Sequence, residues 1–250
     1  MKENDVRTSN SIMGYLLLKD GSFHIIEMIA TLIRRYNVDI KFDEETNAFT
    51  FKFGEYIVGA SFVNSPMGND DAKEACKYNF LWQNAEEIVS NHKAHVLLTI
   101  LNCHNKLEGY KLFTNIMSVL ANFDNTIAVY MPAQNMTLNA KTYVEDARVL
   151  VTGKNPIHLW ICICPVELED ATIVYTYGLN EFGKNEIEVR STDKHYMEMF
   201  DFVYNLCDYI LTQNVSIESG DNFKTVNGET VSAIVNNGVY IDRVSTKFNM

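Results

Sequence analysis

The chain has 250 residues and a mass of 28.6 kDa, which fits one large domain or two small ones, of which we expect one. Hydrophobic residues at 47% and charged residues at 21% are typical of a globular protein, and no apolar run or signal-peptide pattern indicates a membrane segment, so we expect a cytoplasmic protein. A formal net charge of −11 argues against duplex nucleic acid as a partner, because binding phosphates needs a basic surface.

The first third of the chain predicts a strand, a helix and a hairpin. The strand covers Met13–Lys19, and Ser22 is placed to cap a helix that runs through Arg35. Two further strands, at 48–53 and 56–63, flank Gly54-Glu55, a loop length that favours a tight hairpin. The apolar residues that we expect on the inner face of the helix are Ile25, Ile26, Ile29, Leu32 and Ile33.

The middle of the chain alternates helices and strands, a pattern typical of helices packed on a sheet. Hydrophobic periodicity predicts, in order, a helix ending in 82–91, a strand at 94–102, a helix at 107–123, a strand at 127–131, a helix at 138–151 and a strand at 159–164.

The last third predicts strands at 172–177 and 186–190, a long amphipathic helix at 193–213, and a polar hairpin that leads into a terminal strand. Neither a repeat nor a linker interrupts the sequence. We therefore predict one α+β domain over residues 1–250, with a mixed β-sheet and helices packed on it.

The five cysteines are odd in number and lack the spacing of a secreted disulfide framework, which predicts reduced thiols. Cys162 and Cys164 would share a face with Trp160 in a buried central strand, where cysteine behaves as a small hydrophobe. A metal or redox role is the alternative.

A first candidate site combines Glu86 and Glu87 with His92 and His95. Histidine and carboxylate side chains could bind a metal or perform acid–base chemistry. However, the familiar zinc motif places two histidines four residues apart on one helical face, whereas these two lie three apart across a helix-to-strand junction. A structural role, with one imidazole bound to a loop carbonyl and the other partly buried, is the competing interpretation. We expect no bound metal and no cofactor here.

A second candidate site lies around Glu186 and Glu188. Alternation with Ile187 and Val189 predicts a strand with both carboxylates on one solvated face. Paired carboxylates could also serve acid–base catalysis. Since the chain has no phosphate-binding glycine motif, nucleophile elbow or HExxH motif, no residue set requires an enzyme.

Residues 165–221 contain twelve acidic and three basic residues, a local charge of −9. This excess indicates either a solvated acidic surface or a face for a basic protein partner. The residues that we assign to such a partner face are Glu169, Asp170, Leu179, Glu181, Phe182, Glu186 and Glu188.

Three elements in this order carry a resemblance to a known family. They are His92-Lys93-Ala94-His95 before an apolar strand, the 177–188 segment, and a long helix followed by Gly220-Asp221-Asn222. Together they resemble the bacterial domain of unknown function DUF4261, most densely over residues 156–250. The resemblance supplies no catalytic residue. It implies proteins encoded beside toxin-immunity and phage-defence genes, and hence an inhibitory binding role.

Three classes of function remain open at the level of the sequence. The favoured one is a non-catalytic module that occludes a protein partner, as an immunity or anti-defence protein does. The second is a metal-dependent or acid–base hydrolase that uses His92 and His95 with Glu86, Glu87 or Glu186. The third is a structural subunit of a homo-oligomer or of a larger complex.

Overall fold

The computed structural model describes residues 10–79 and 82–250. The chain falls into two compact units, which meet at residues 159 and 160 in the sequence. We call them the N-terminal unit, through Leu159, and the C-terminal unit, from Trp160 to Met250. Each unit has its own sheet and is described by itself.

Among the described residues of the N-terminal unit, seven strands form one sheet in which every neighbouring pair is antiparallel. The sheet order is β2-β3-β4-β5-β1-β6-β7. The strands are β1 Ser11–Leu18, β2 Lys41–Asp43, β3 Ala48–Phe53, β4 Tyr56–Val63, β5 Ala94–Leu101, β6 Thr126–Met131 and β7 Met136–Asn139. The helices of this part of the chain are α1 Ile25–Tyr36, α2 Asp71–Glu74, α3 Ala85–Ser90, α4 Lys106–Ala121, α5 Ala140–Ala147 and α6 Ile157–Trp160.

Helix α4 packs closely on the central strand β1, and Gly14 makes this approach possible. A Cβ atom at Gly14 would lie 2.8 Å from Phe113 Cζ and 2.9 Å from Met131 Sδ. The opposite face of the sheet carries a second apolar cluster, in which Leu17 and Tyr130 pack with residues of α2 and α3. The core of the unit therefore occupies both faces of its sheet.

The C-terminal unit contains a five-stranded mixed sheet in the order β13-β14-β10-β9-β8, with β10 and β14 parallel and the other pairs antiparallel. Its strands are β8 Cys162–Glu167, β9 Thr172–Tyr177, β10 Glu186–Ser191, β13 Ile234–Asn237 and β14 Val244–Asn249. A separate hairpin pairs β11 Asn222–Lys224 with β12 Thr230–Ser232. Helix α7, Tyr196–Gln213, buries Met199, Val203 and Leu206 and packs against β8, β9 and β10.

The α+β class, with helices packed on large sheets, is confirmed. The prediction of one domain stays a prediction beside the division into two units. In the described part of the chain, no helix combines the length and the apolar composition needed to cross a membrane.

Four local predictions are wrong. Helix α1 begins at Ile25 after His24, because the Ser22 hydroxyl donates to Asp20 instead of capping the helix. Two of its supposed inner residues are exposed, Ile26 at 64% and Ile33 at 42%. The helix predicted at 138–151 contains strand β7 before α5. Trp160 ends a short helix, and β8 is an edge strand.

Candidate functional site

Glu186 is fully buried at the start of β10 and binds the backbone of the segment that follows β9. Gly178 N and Asn180 N donate to its Oε1 at 2.9 and 3.1 Å, and Leu179 N donates to Oε2 at 3.2 Å. The hydroxyl of Thr176 donates to Oε2 at 2.8 Å. Four donors thus converge on one carboxylate, which fixes the start of the 3-10 helix that follows Gly178.

Glu188, two residues along the same strand, is 4% exposed and holds a second loop. Val239 N lies 3.0 Å from both carboxylate oxygens, and the N–H groups of Tyr240 and Ile241 donate to Oε1 at 3.1 and 3.3 Å. Gly238 is required at the entry of this loop, since a Cβ there would lie 2.2 Å from the carbonyl oxygen of Ile241 and 2.8 Å from Glu188 Oε1.

The prediction that Glu186 and Glu188 form a solvated face is therefore wrong. Both side chains lie under loops whose N–H groups would otherwise lack acceptors, and this arrangement repays the desolvation of each carboxylate. Neither carboxylate is accessible to a partner, and each has its oxygens occupied by donors of its own unit. Their role in this structure is to position loops.

The loop held by Glu188, which spans residues 238–243, presents an exposed apolar tip that we define as Val239 and Tyr240. Val239 is 70% exposed and Tyr240 is 38% exposed. The ring of Tyr240 stacks on Tyr175 with centroids 6.3 Å apart, and the Arg243 guanidinium lies 5.4 Å from the centroid of Tyr177. The tip is thus fixed from below by a carboxylate and from the side by tyrosines of β9.

Sequence reasoning did not identify this tip. The signal that could have found it is Asn237-Gly238, a turn dipeptide directly followed by three large apolar residues, Val239, Tyr240 and Ile241.

The seven residues assigned to an acidic partner face do not come together. Glu169 and Asp170 are exposed in the turn between β8 and β9, where Asp170 pairs with Arg190 at 2.8 Å. Glu181 follows the other end of β9. Since β9 has six residues, about 17 Å separates Glu181 from the turn that contains Glu169 and Asp170. The assigned set is thus split between opposite ends of one strand.

The apolar members of that set are less available than predicted. Leu179 is fully buried, and Phe182 is half-buried against the ring of Trp160 at 6.0 Å between centroids. Leu179 therefore contributes to the core and cannot act as a contact. Glu181 and Phe182 remain partly accessible at the same end of β9 as the 238–243 loop.

Both histidines of the first candidate site hold the loop around Ser65. His92 is buried, its Nδ1 lies 2.6 Å from the carbonyl oxygen of Val89, and its Nε2 accepts from Met67 N at 2.8 Å. His95 Nδ1 lies 2.9 Å from the carbonyl oxygen of Ser65. Burial lowers the pKa of His95, and the hydrogen bond to Ser65 opposes this shift.

This geometry favours the structural interpretation of the histidines, since both ring nitrogens of His92 are engaged. Glu86 and Glu87 are exposed on the first turn of α3 and line an open groove of about 660 Å³. Among the described residues, no three histidine, cysteine or acidic side chains are grouped as a metal site.

The N-terminal unit also has an open groove of about 960 Å³ beside α1, α4 and α5. Its charged lining is balanced, because the basic and acidic side chains are equal in number and interspersed. The basic residues are Lys19, Arg35 and Arg148, and the acidic residues are Asp20, Glu27 and Asp124. The groove therefore favours no single class of charged ligand.

The five cysteines are unpaired and buried. Cys162 and Cys164 share a face of β8, with their sulfur atoms 3.0 Å apart. The hydrogen bond with the Cys162 thiol, together with burial, raises the pKa of Cys164, which keeps it protonated. The prediction of buried thiols is confirmed, although β8 lies at the edge of the sheet.

The fold and the site define an α+β protein whose C-terminal sheet carries two buried, loop-holding glutamates on one strand. Residues 175–248 match the family described as Domain of unknown function (DUF4261). The match confirms the resemblance and contains both glutamates and the 238–243 loop. Comparison with curated proteins and with solved structures gives no match.

Proposed function

We propose that this protein is a non-catalytic binding protein that contacts a protein partner through the apolar tip of the 238–243 loop. The observation that carries the proposal is the binding of three consecutive backbone N–H groups of the loop by buried Glu188. An exposed valine and tyrosine on an unsupported loop would be ordinary, whereas the backbone of these two is bound by a buried carboxylate.

Rigidity matters because the ordering of loops and side chains at an interface lowers the free energy gained on association. A loop that is already fixed in the free protein avoids part of that cost. Tyrosine is also among the residues that dominate binding energies, particularly where a ring is already positioned by packing. Val239 and Tyr240 thus have the properties of anchors in a protein interface.

Charge supports a basic partner. Asp242 is exposed within the loop and Glu181 lies partly accessible at the same end of β9, within a chain of net charge −11. Arg243, the basic residue of the loop, already lies over the ring of Tyr177. An acidic surround would speed encounter with a basic surface and disfavour acidic competitors.

An inhibitory mode of action follows from the same features. A rigid apolar tip can occupy a surface of its partner and block it without any chemical step. This is the mode of action of an immunity or anti-defence protein, the setting that the DUF4261 resemblance implies. The hydrolase alternative gains no support, since Glu186 and His92 have their polar atoms occupied by structural hydrogen bonds.

Affinity capture with matched variants tests the proposal. Tagged parent protein, Val239→Asp and Val226→Asp are incubated with extract of the native host, and bound proteins are identified by mass spectrometry. Val226 is also strongly exposed in the C-terminal unit but lies outside the loop, so it serves as the control.

We expect a partner that is retained by the parent and by Val226→Asp and is lost with Val239→Asp. Circular dichroism is used to check that the three proteins are equally folded. A partner that binds Val239→Asp as tightly as the parent would show that the tip is not the interface.

A further inference from the structure

The outer face of helix α1 is apolar and has no covering element among the described residues. Ile26 and Ile33 are exposed although the helix buries Met28 and Leu32 on its inner side. With Ala30 between them, the two isoleucines have the i, i+4, i+7 spacing of one helical stripe. Such a stripe is the usual contact surface of a helix that packs on another helix.

Two charged residues beside this stripe indicate which partner surface is complementary to it. Glu27 and Arg34 are exposed beside it, seven residues apart, which is about 10 Å along the axis. Arg34 donates a hydrogen bond to the hydroxyl of Thr31 at 3.2 Å, and neither charge forms an ion pair within the described residues. Beside the stripe, Glu27 and Arg34 are thus placed symmetrically about the midpoint of the helix near Ala30, whereas the second arginine, Arg35, lies 5.8 Å from the ring centroid of Tyr36.

We infer that α1 is a self-association surface on which a second copy of this chain docks with its own α1 antiparallel. A two-fold axis near Ala30 places each Glu27 beside Arg34 of the second copy and each Ile26 near Ile33 of the second copy. A self-complementary patch of this kind is what a two-fold symmetric interface requires. The small side chain of Ala30 at the crossing point allows the two helices to approach closely.

The size of the helix sets the strength of this dimer. A helix of twelve residues presents much less surface than the roughly 800 Å² per partner of a standard stable interface. The dimer is therefore weak and forms only as the protein concentration rises. The association uses the N-terminal unit and is independent of the partner proposed for the 238–243 loop.

Sedimentation equilibrium of the full chain tests this inference. For the parent we expect the weight-average mass to rise from that of one chain toward twice that value between about 10 µM and about 1 mM, the range of a small interface. The Ile26→Asp variant should stay monomeric throughout. Val151→Asp, at another strongly exposed site of the same unit, should associate as the parent does.

Charge exchange tests the antiparallel arrangement. Glu27→Arg and Arg34→Glu should each weaken the dimer at least fivefold, since like charges then face each other across the axis. The double variant Glu27→Arg/Arg34→Glu should restore the affinity of the parent at low salt. All these positions are exposed, so the variants are expected to fold, and circular dichroism serves as the check.

Three outcomes would overturn the inference. One is a parent chain that stays monomeric up to about 1 mM, and another is a dimer unaffected by Ile26→Asp. The third is a double charge variant no stronger than the single ones. A parent that stays monomeric alone but binds lipid vesicles or an unrelated amphipathic peptide through Ile26 would assign the stripe to another occupant and would equally refute self-association.

Discussion

Replacing Glu186 by glutamine should destabilise the C-terminal unit more than the same change at Glu188. Both substitutions keep the shape of the side chain and turn one carboxylate oxygen into an NH₂ group. At Glu186 each oxygen accepts a backbone N–H, from Gly178 and Asn180 on Oε1 and from Leu179 on Oε2. Whichever way the amide is turned, its NH₂ therefore faces at least one buried N–H.

The magnitude follows from counting donors. A buried donor left without an acceptor costs about 1–3 kcal/mol, and the remaining hydrogen bonds lose the strength that the charge adds. For Glu186→Gln we expect a loss of about 3 kcal/mol. At Glu188 the amide oxygen can take the place of Oε1, which receives Val239, Tyr240 and Ile241. Only the second contact of Val239 is then lost, and we expect about 1 kcal/mol.

Urea unfolding followed by the fluorescence of Trp160 measures this difference. Trp160 is buried in the C-terminal unit and contacts the ring of Phe182. Phe182 belongs to the 3-10 helix whose start is held by Glu186. A Trp82→Phe background removes the second tryptophan from the signal. With a urea m-value near 2 kcal/mol/M, the midpoint should fall by about 1.5 M for Glu186→Gln and by about 0.5 M for Glu188→Gln.

The reasoning is refuted if the two variants lose equal stability or if Glu188→Gln is the less stable one. A Glu186→Gln protein within about 0.5 kcal/mol of the parent, the range of an ordinary surface substitution, would show that the four contacts contribute little.

Three further predictions concern the histidines and cysteines. Because burial lowers the pKa of His95, the unfolded chain binds the proton more readily, so stability is complete above about pH 6.5 and falls as the pH drops below it; His95→Gln should flatten this decline in urea midpoints measured from pH 7 to pH 5. Elemental analysis should find no stoichiometric metal, and one ion per chain, lost in a folded His92→Ala/His95→Ala variant, would contradict us. A bulky thiol reagent should label neither Cys162 nor Cys164 quickly in native buffer and both in denaturant; rapid native labelling would show that β8 is misplaced.

Hydrophobic patterning predicted the strands around Gly54 and the helix α4 well, because the signal there is local. It failed at Glu186 and Glu188 because alternation shows which residues lie on the same face of a strand but does not show what covers that face. A loop from residues 239–241, some fifty positions later in the chain, buries Glu188. Only contacts distant in sequence could distinguish this carboxylate from a solvated one.

The candidate site was missed for the same reason. The local signal is a run of three apolar residues, Val239 to Ile241, after a turn, a pattern that many loops share. Their significance depends on Glu188 beneath them and on Tyr175 beside them, and neither neighbour is visible in the local sequence. Strand β7 was missed because its last two residues, Leu138 and Asn139, adjoin helix α5 and fit the first turn of the helix predicted at 138–151.

Strand β14 is an interior strand of its sheet, between β13 and β10, although it follows every other strand of that sheet in sequence. β13 and β14 follow each other in the chain and pair as a hairpin, which joins the β8-β9-β10 part of the sheet only when β14 pairs with β10. Until then one edge of β10 stays open, and closing it requires a parallel pairing across more than fifty intervening residues. We therefore expect slow refolding of this unit and an intermediate that exposes an unpaired strand edge, a species prone to aggregate as protein concentration rises.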